Sequence, residues 1–127
     1  MALSGFLAVG LGAAVGAWLR WGLGLLLNPL IPSLPLGTLV ANLAGGYLIG
    51  IALGMFSHFA SLPAEVRLLV VTGFLGGLTT FSTFSAEAVT LLARQQYFWA
   101  AGHMLSHLLG SLAMTALGML SVNLLRS

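Results

Sequence analysis

Gly73-Phe74-Leu75-Gly76-Gly77-Leu78-Thr79-Thr80-Phe81-Ser82-Thr83-Phe84-Ser85 is the stretch on which the reading of this chain turns. It begins inside an apolar run long enough to cross a bilayer. It then departs from what a lipid-facing helix contains. Gly76 and Gly77 weaken a helix, and the β-branched pair Thr79 and Thr80 is stiff at χ1. Together they predict a break. Backbone groups freed at membrane depth are tolerated only where protein buries them, or where they line water or hold an ion. Beyond the break, Phe81 and Phe84 fall three apart on one face, with Ser82, Thr83 and Ser85 beside them. Rings and hydroxyls at that depth suggest the lining of a path for something small and polar. Gly73 and Gly77 also form a small-xxx-small pair, the signature of close helix packing, and the hydroxyls can bond back to carbonyls of the preceding turn. Both readings stay open at this level.

Composition gives the environment. Of 127 residues, 59% are hydrophobic and 5% charged, against about a quarter charged in soluble domains, so the chain is a membrane protein. The charges are Arg20, Glu65, Arg67, Glu87, Arg94 and Arg126. They form no basic cluster, which excludes a nucleic-acid footprint. No cysteine is present, so disulfides and thiolate metal sites are excluded. The N-terminal run has no basic leader and exceeds a signal-peptide core, so it reads as a retained helix.

Four apolar runs are long enough to span, predicting an all-α membrane protein: a single transmembrane domain over residues 1–127, with helices at about 3–27, 36–58, 64–94 and 97–126. Asn28 to Pro35 is a proline-rich loop that cannot continue a helix. The other two connections are short, and none has room for a soluble domain. Ala8, Gly12 and Gly16 in helix one, and Gly46, Gly50 and Gly54 in helix two, recur every four residues as packing stripes. Four spans put both termini on one side with Arg67 and Arg126, leaving Arg20 and Arg94 on the other. Orientation follows a Lys/Arg excess, and here there is none. Insertion in both orientations is then allowed, and with it an antiparallel homodimer about a two-fold axis in the membrane plane.

Ionisable and amide groups inside a membrane are functional candidates. Arg20 is either an anion attractor at a vestibule or an interfacial anchor. Asn42, with two donors and one acceptor, can hold the broken backbone of helix three, donate to a passing anion, or join helices. Glu87 is a titratable carboxylate one turn past Phe84, or a group near the interface linked to an arginine. His103, His107, Ser111 and Thr115 follow one another at spacings of four and share a face of helix four. The two histidines alone do not make a zinc site, because no third ligand is apparent. A hydrogen-bonding track suits the stripe better. Donors without fixed negative charge, namely Asn42, Ser82, Thr83, Ser111 and Thr115, together with the positive edges of Phe81 and Phe84, point to a small anion.

The chain resembles the CrcB/Fluc fluoride channels along its whole length. The resemblance is carried by Gly12 to Arg20 in helix one, Pro35 to Asn42 in helix two, Thr72 to Ser85 in helix three and Gly110 to Gly118 in helix four. It implies a dual-topology, antiparallel homodimer with two pores, passing fluoride passively across the bacterial inner membrane and so reducing fluoride toxicity. It implies a structural sodium ion at the dimer interface, held by the backbone carbonyls of Gly76 and Thr79. It places Asn42, Phe81, Phe84, Ser82, Thr83, Ser111, Thr115 and His107 along the pore, with Arg20 and Glu87 in vestibule or structural roles. The rival is a dual-topology, proton-coupled small exporter, for which the membrane glutamate expected in helix one is missing. An enzyme is not expected, because no nucleophile–base pair or second acid occurs in the spans.

Overall fold

The computed structural model describes residues 2–59 and 61–126; Met1, Ala60 and Ser127, at the two ends of the expected domain and in its second loop, lie outside the described residues. The described chain is helical almost throughout. Helix α1 is Ala2–Leu27, followed by a 3₁₀ turn at Asn28–Leu30, and α2 is Leu36–His58. The third span, Ala64–Ala93, comes in two parts. Its first part, α3 (residues 64–78), starts at Ala64–Arg67, widens into π-helical turns at Leu68–Leu75 and closes with Gly76–Leu78. Thr79 and Thr80 are extended, with φ/ψ of −87°/156° and −152°/122°. Helix α4, Phe81–Ala93, resumes the span, and α5, Tyr97–Arg126, makes the fourth. All four spans are long and apolar enough to cross a membrane, and the protein is a multi-pass membrane protein.

The helix ends have identifiable causes. Asn28 Oδ1 accepts from the amides of Gly37 (2.7 Å) and Thr38 (3.3 Å), so a loop side chain satisfies the first turn of α2. Thr80 Oγ1 accepts from Thr83 N at 3.1 Å and caps α4. In the wide turns before the interruption, Gly76 N reaches Val71 O, five residues back.

Many large side chains face outward, while alanines and glycines share the interior with Leu75, Leu78 and Leu91. Phe6, Trp18, Leu26, Phe98 and Leu125 are exposed, whereas Ala41, Ala52, Ala88 and Ala100 are buried. That inversion suits a lipid solvent, which gives apolar helices no reason to hide their side chains from it. Contact is instead backbone to backbone. A Cβ on Gly12 would meet Leu69 O, one on Gly16 would meet Phe74 O and one on Gly77 would meet Ala13 O, so α1 lies directly on α3. A Cβ on Gly50 would meet Thr115 O, and one on Gly118 would meet Tyr47 O, so α2 lies in the same way on α5. The two glycine stripes expected to pack do so, and a further stripe on α5 answers the one on α2.

Candidate functional site

The site is built around the two extended threonines. In a continuous helix Thr80 N would donate to Gly76 O four residues back. Here it donates to Asn42 Oδ1 at 2.8 Å, while Asn42 Nδ2 returns a bond to Thr80 O at 3.0 Å. The carboxamide of α2 thus stands in for a neighbouring peptide and satisfies both backbone groups of Thr80. Arg20 Nε, from α1, donates to Gly77 O at 3.1 Å. Leu75 O accepts from both the amide (3.0 Å) and the hydroxyl (2.8 Å) of Thr79. Both backbone groups of Thr80, the Thr79 amide and the Gly77 carbonyl are therefore taken by protein, as membrane depth demands.

Of the roles open to Asn42, the geometry selects backbone support. Its oxygen serves Thr80 N, and its nitrogen serves Thr80 O and His107 Nδ1, the latter at 3.0 Å. A carboxamide nitrogen only donates, so His107 Nδ1 accepts and the neutral ring carries its proton on Nε2. Arg20 uses one guanidinium nitrogen, Nε, on a carbonyl at the end of α3 and is half-buried.

A cleft of about 660 Å³ opens between α2, α3, α4 and α5, and Asn42, Gly76, Thr79, Phe81, Phe84, His107 and Ser111 all line it. Phe81 is 79% exposed and leans on Phe84, with centroids 5.5 Å apart. Phe84 in turn stacks on His103 at 5.2 Å and packs on His107 at 4.7 Å. The remaining expected pore residues sit elsewhere. Ser82 is exposed. Thr83 lines a second cavity, of about 200 Å³, with Glu87, Arg94 and the loop prolines Pro32 and Pro35. Thr115 Oγ1 donates to Gly46 O at 2.9 Å and so bridges α5 to α2.

Glu87 is not paired with an arginine. Its Oε2 accepts from Thr38 Oγ1 at 2.7 Å, and its Oε1 lies 3.5 Å from His103 Nε2. The half-buried Glu87 and the buried His103 and His107 form one group, each offering an N or O atom within 4.8 Å of the others. A carboxylate that the sequence did not pair with the histidines therefore stands beside them, supplied by α4. Thr38 was not singled out from sequence, and Thr80 only as part of the expected break. Its capping role carried a usable signal, a hydroxyl residue directly before a helix start. Thr38 carried none, because its partner is 49 residues away.

An interrupted third span, clamped by an amide from the second and flanked by a ring-lined cleft, defines a class of small multi-pass membrane protein with a polar path beside irregular backbone. The chain belongs to the CrcB family: residues 7–119 match the family described as CrcB-like protein, Camphor Resistance (CrcB). A protein of Nitrosospira multiformis named fluoride-specific ion channel FluC is 63% identical over 122 residues, covering 96% of this chain and 95% of that one. Proteins of the same name from Cupriavidus pinatubonensis and Thiobacillus denitrificans are 63% and 57% identical, over 95% and 98% of this chain and 96% and 100% of theirs.

Proposed function

We propose that this chain is a passive, fluoride-selective channel. The observation that carries the proposal is the cleft in which Phe81, Phe84 and Ser111 converge beside the Asn42–Thr80 clamp, in a chain about 60% identical to proteins named for fluoride conduction. Phenyl edges carry partial positive charge, and Ser111 adds a hydroxyl without adding fixed negative charge. A cation path would be ringed by carboxylates, and none is among the described residues that line this cleft. Asn42 acts here as a positioning residue, because both ends of its amide are engaged.

The working unit is an antiparallel homodimer with two pores, residing in the bacterial inner membrane and lowering internal fluoride. Two facts support the second copy. The arginines divide equally between the two faces, and Phe81 is left exposed on the wall of an open cleft. A structural sodium ion fits the interruption. Gly76 O has lost its helical donor, since Thr80 N is drawn off to Asn42, and oxygen-only ligands suit a hard cation. The carbonyls of Gly76 and Thr79, from both copies, would hold it, and its charge would raise the local potential for anions. No enzymatic step is involved.

The test is potassium-fluoride-loaded liposomes carrying the purified protein, with external fluoride followed by electrode after valinomycin is added. Rapid fluoride efflux with negligible chloride efflux is the expected result. Silence in well-inserted protein overturns the channel. Flux that requires a pH gradient replaces it with a proton-coupled exporter, the reading that the Glu87–His103–His107 group would then serve.

A further inference from the structure

The three residues between the two cavities hold an anomaly. Glu87 Oε1, both nitrogens of His103 and Nε2 of His107 are buried without hydrogen-bond partners among the described residues. His103 is 0% exposed and His107 4%. Buried polar atoms are ordinarily satisfied, and here His103 Nε2 and Glu87 Oε1 face each other at 3.5 Å with neither satisfied. The two rings meet edge-on, 60° apart with centroids at 4.4 Å, as neighbours at i and i+4 on one helix face.

We propose that Glu87, His103 and His107 form a binding site for a transition-metal dication of the zinc class, and that its occupation slows conduction. The donor set is His₂Glu, which zinc accepts with one position left open. Metal–ligand bonds of about 2.0–2.2 Å in tetrahedral geometry put ligand atoms roughly 3.4 Å apart. His103 Nε2 and Glu87 Oε1 are 3.5 Å apart, and a ring nitrogen of each histidine and a carboxylate oxygen of Glu87 all lie within 4.8 Å of one another. Thr38 holds the other carboxylate oxygen at 2.7 Å and so orients the ligand. Glu87 lines the smaller cavity and His107 the larger cleft, so the site can be approached from either.

The consequence for conduction follows from one proton. Without metal, His107 accepts from Asn42 at Nδ1 and keeps its proton on Nε2. Coordination needs the Nε2 lone pair, so the ring proton moves to Nδ1 and the ring stays neutral. A protonated Nδ1 faces a nitrogen that only donates, and the 3.0 Å contact with Asn42 must open. Metal binding is thereby coupled to the residue that clamps Thr80, and it adds positive charge against Phe84. The site itself stands apart from the fluoride reading; only its effect on flux rests on it.

The experiment uses full-length, tag-free protein in detergent, with Zn²⁺ and Co²⁺ as probes. Metal analysis after dialysis is expected to give one zinc per chain, and Co²⁺ to give the visible absorption of a tetrahedral site. Glu87→Gln, His103→Ala and His107→Ala are each expected to weaken zinc by more than the roughly 10–100-fold that loss of an outer partner costs. His58→Ala, remote and bonded to Arg126, is expected to leave binding unchanged. Zinc should then slow fluoride efflux in liposomes of the parent protein, with recovery on chelation. Absence of stoichiometric zinc, or zinc retained in both histidine variants, overturns the site. Stoichiometric zinc with undiminished efflux overturns the coupling through Asn42. Absence of efflux before any zinc is added speaks against the channel instead, and the Co²⁺ spectrum still decides the site. If the alanine variants do not fold, competition of Co²⁺ by Zn²⁺ on the parent protein, with the cobalt spectrum as readout, distinguishes a built site from scattered surface binding.

Discussion

The glycine seams and the polar seam run side by side through one bundle and solve opposite problems. Between α1 and α3, and between α2 and α5, adhesion depends on what is missing: Gly16, Gly77, Gly50 and Gly118 bring backbones so close that a single Cβ would strike a carbonyl. Around Thr79 and Thr80 it depends on what is supplied, since Asn42 and Arg20 replace the helical bonds that the interruption removes. In lipid the first gains dispersion contact where the hydrophobic effect offers little, and the second avoids unpaired backbone in hydrocarbon. The first tolerates no added atom. The second tolerates no lost one.

The sharpest way to break this contrast is to add bulk to the dry seam. Gly50→Val places a branched side chain against Thr115 O, and overpacking of that kind costs about 3 kcal/mol or more when backbone must move. Folded, inserted protein should fall steeply in a detergent-unfolding assay, with fluoride flux falling in proportion. Flux per folded chain should hold, because no cleft-lining group is touched. The complementary change is Asn42→Ala, which orphans Thr80 N and Thr80 O at about 1–3 kcal/mol each. Here flux per folded chain should drop to background even where the chain still inserts. If both variants lose flux only in step with folded protein, the polar seam is structural and the division between the seams is false.

The two seams were not equally legible. Glycines at spacings of four announce a packing stripe without naming its partner, and the spans and their loops follow from apolar run length and proline. The interruption was legible too, because paired glycines before paired β-branched residues argue against helix at one place, and Thr79 and Thr80 are the residues found extended. What the chain order conceals is who answers whom. Thr38 to Glu87 spans 49 positions and Asn42 to His107 spans 65. A hydroxyl or amide carries no periodic mark that points to a partner on another helix. The same holds for Glu87, which stands on a different helix from the two histidines it approaches. The resemblance to CrcB/Fluc channels placed Phe81, Phe84, Asn42 and Ser111 together. It also assigned Thr115 to the pore, where the structure gives its hydroxyl to Gly46 O.

A smaller effect tests the anchor from α1. Arg20→Ala removes a charged donor from Gly77 O, a bond worth about 1.5–3 kcal/mol. Gly77 also carries the dry contact with Ala13 O, so the same residue belongs to both seams. Thermal unfolding should show a clear loss of stability, and fluoride flux should fall by less than in Asn42→Ala, since Thr80 keeps both of its bonds.

Thr115 gives the smallest effect and divides the two readings most finely. It sits on the dry face of α5, where its own carbonyl opposes Gly50, yet its hydroxyl spends a bond on Gly46 O at 2.9 Å. Thr115→Val preserves shape and removes that bond alone. Interhelical bonds of this type in membranes average about 0.6 kcal/mol and reach about 1.7. If Thr115 is a strut of the dry seam, the stability loss stays within that range and fluoride flux per folded chain is unchanged. If its oxygen also serves the path, flux falls well beyond what the unfolding curve accounts for, and the polar seam then extends one helical turn past Ser111. The ratio of flux loss to stability loss therefore marks where one seam ends and the other begins.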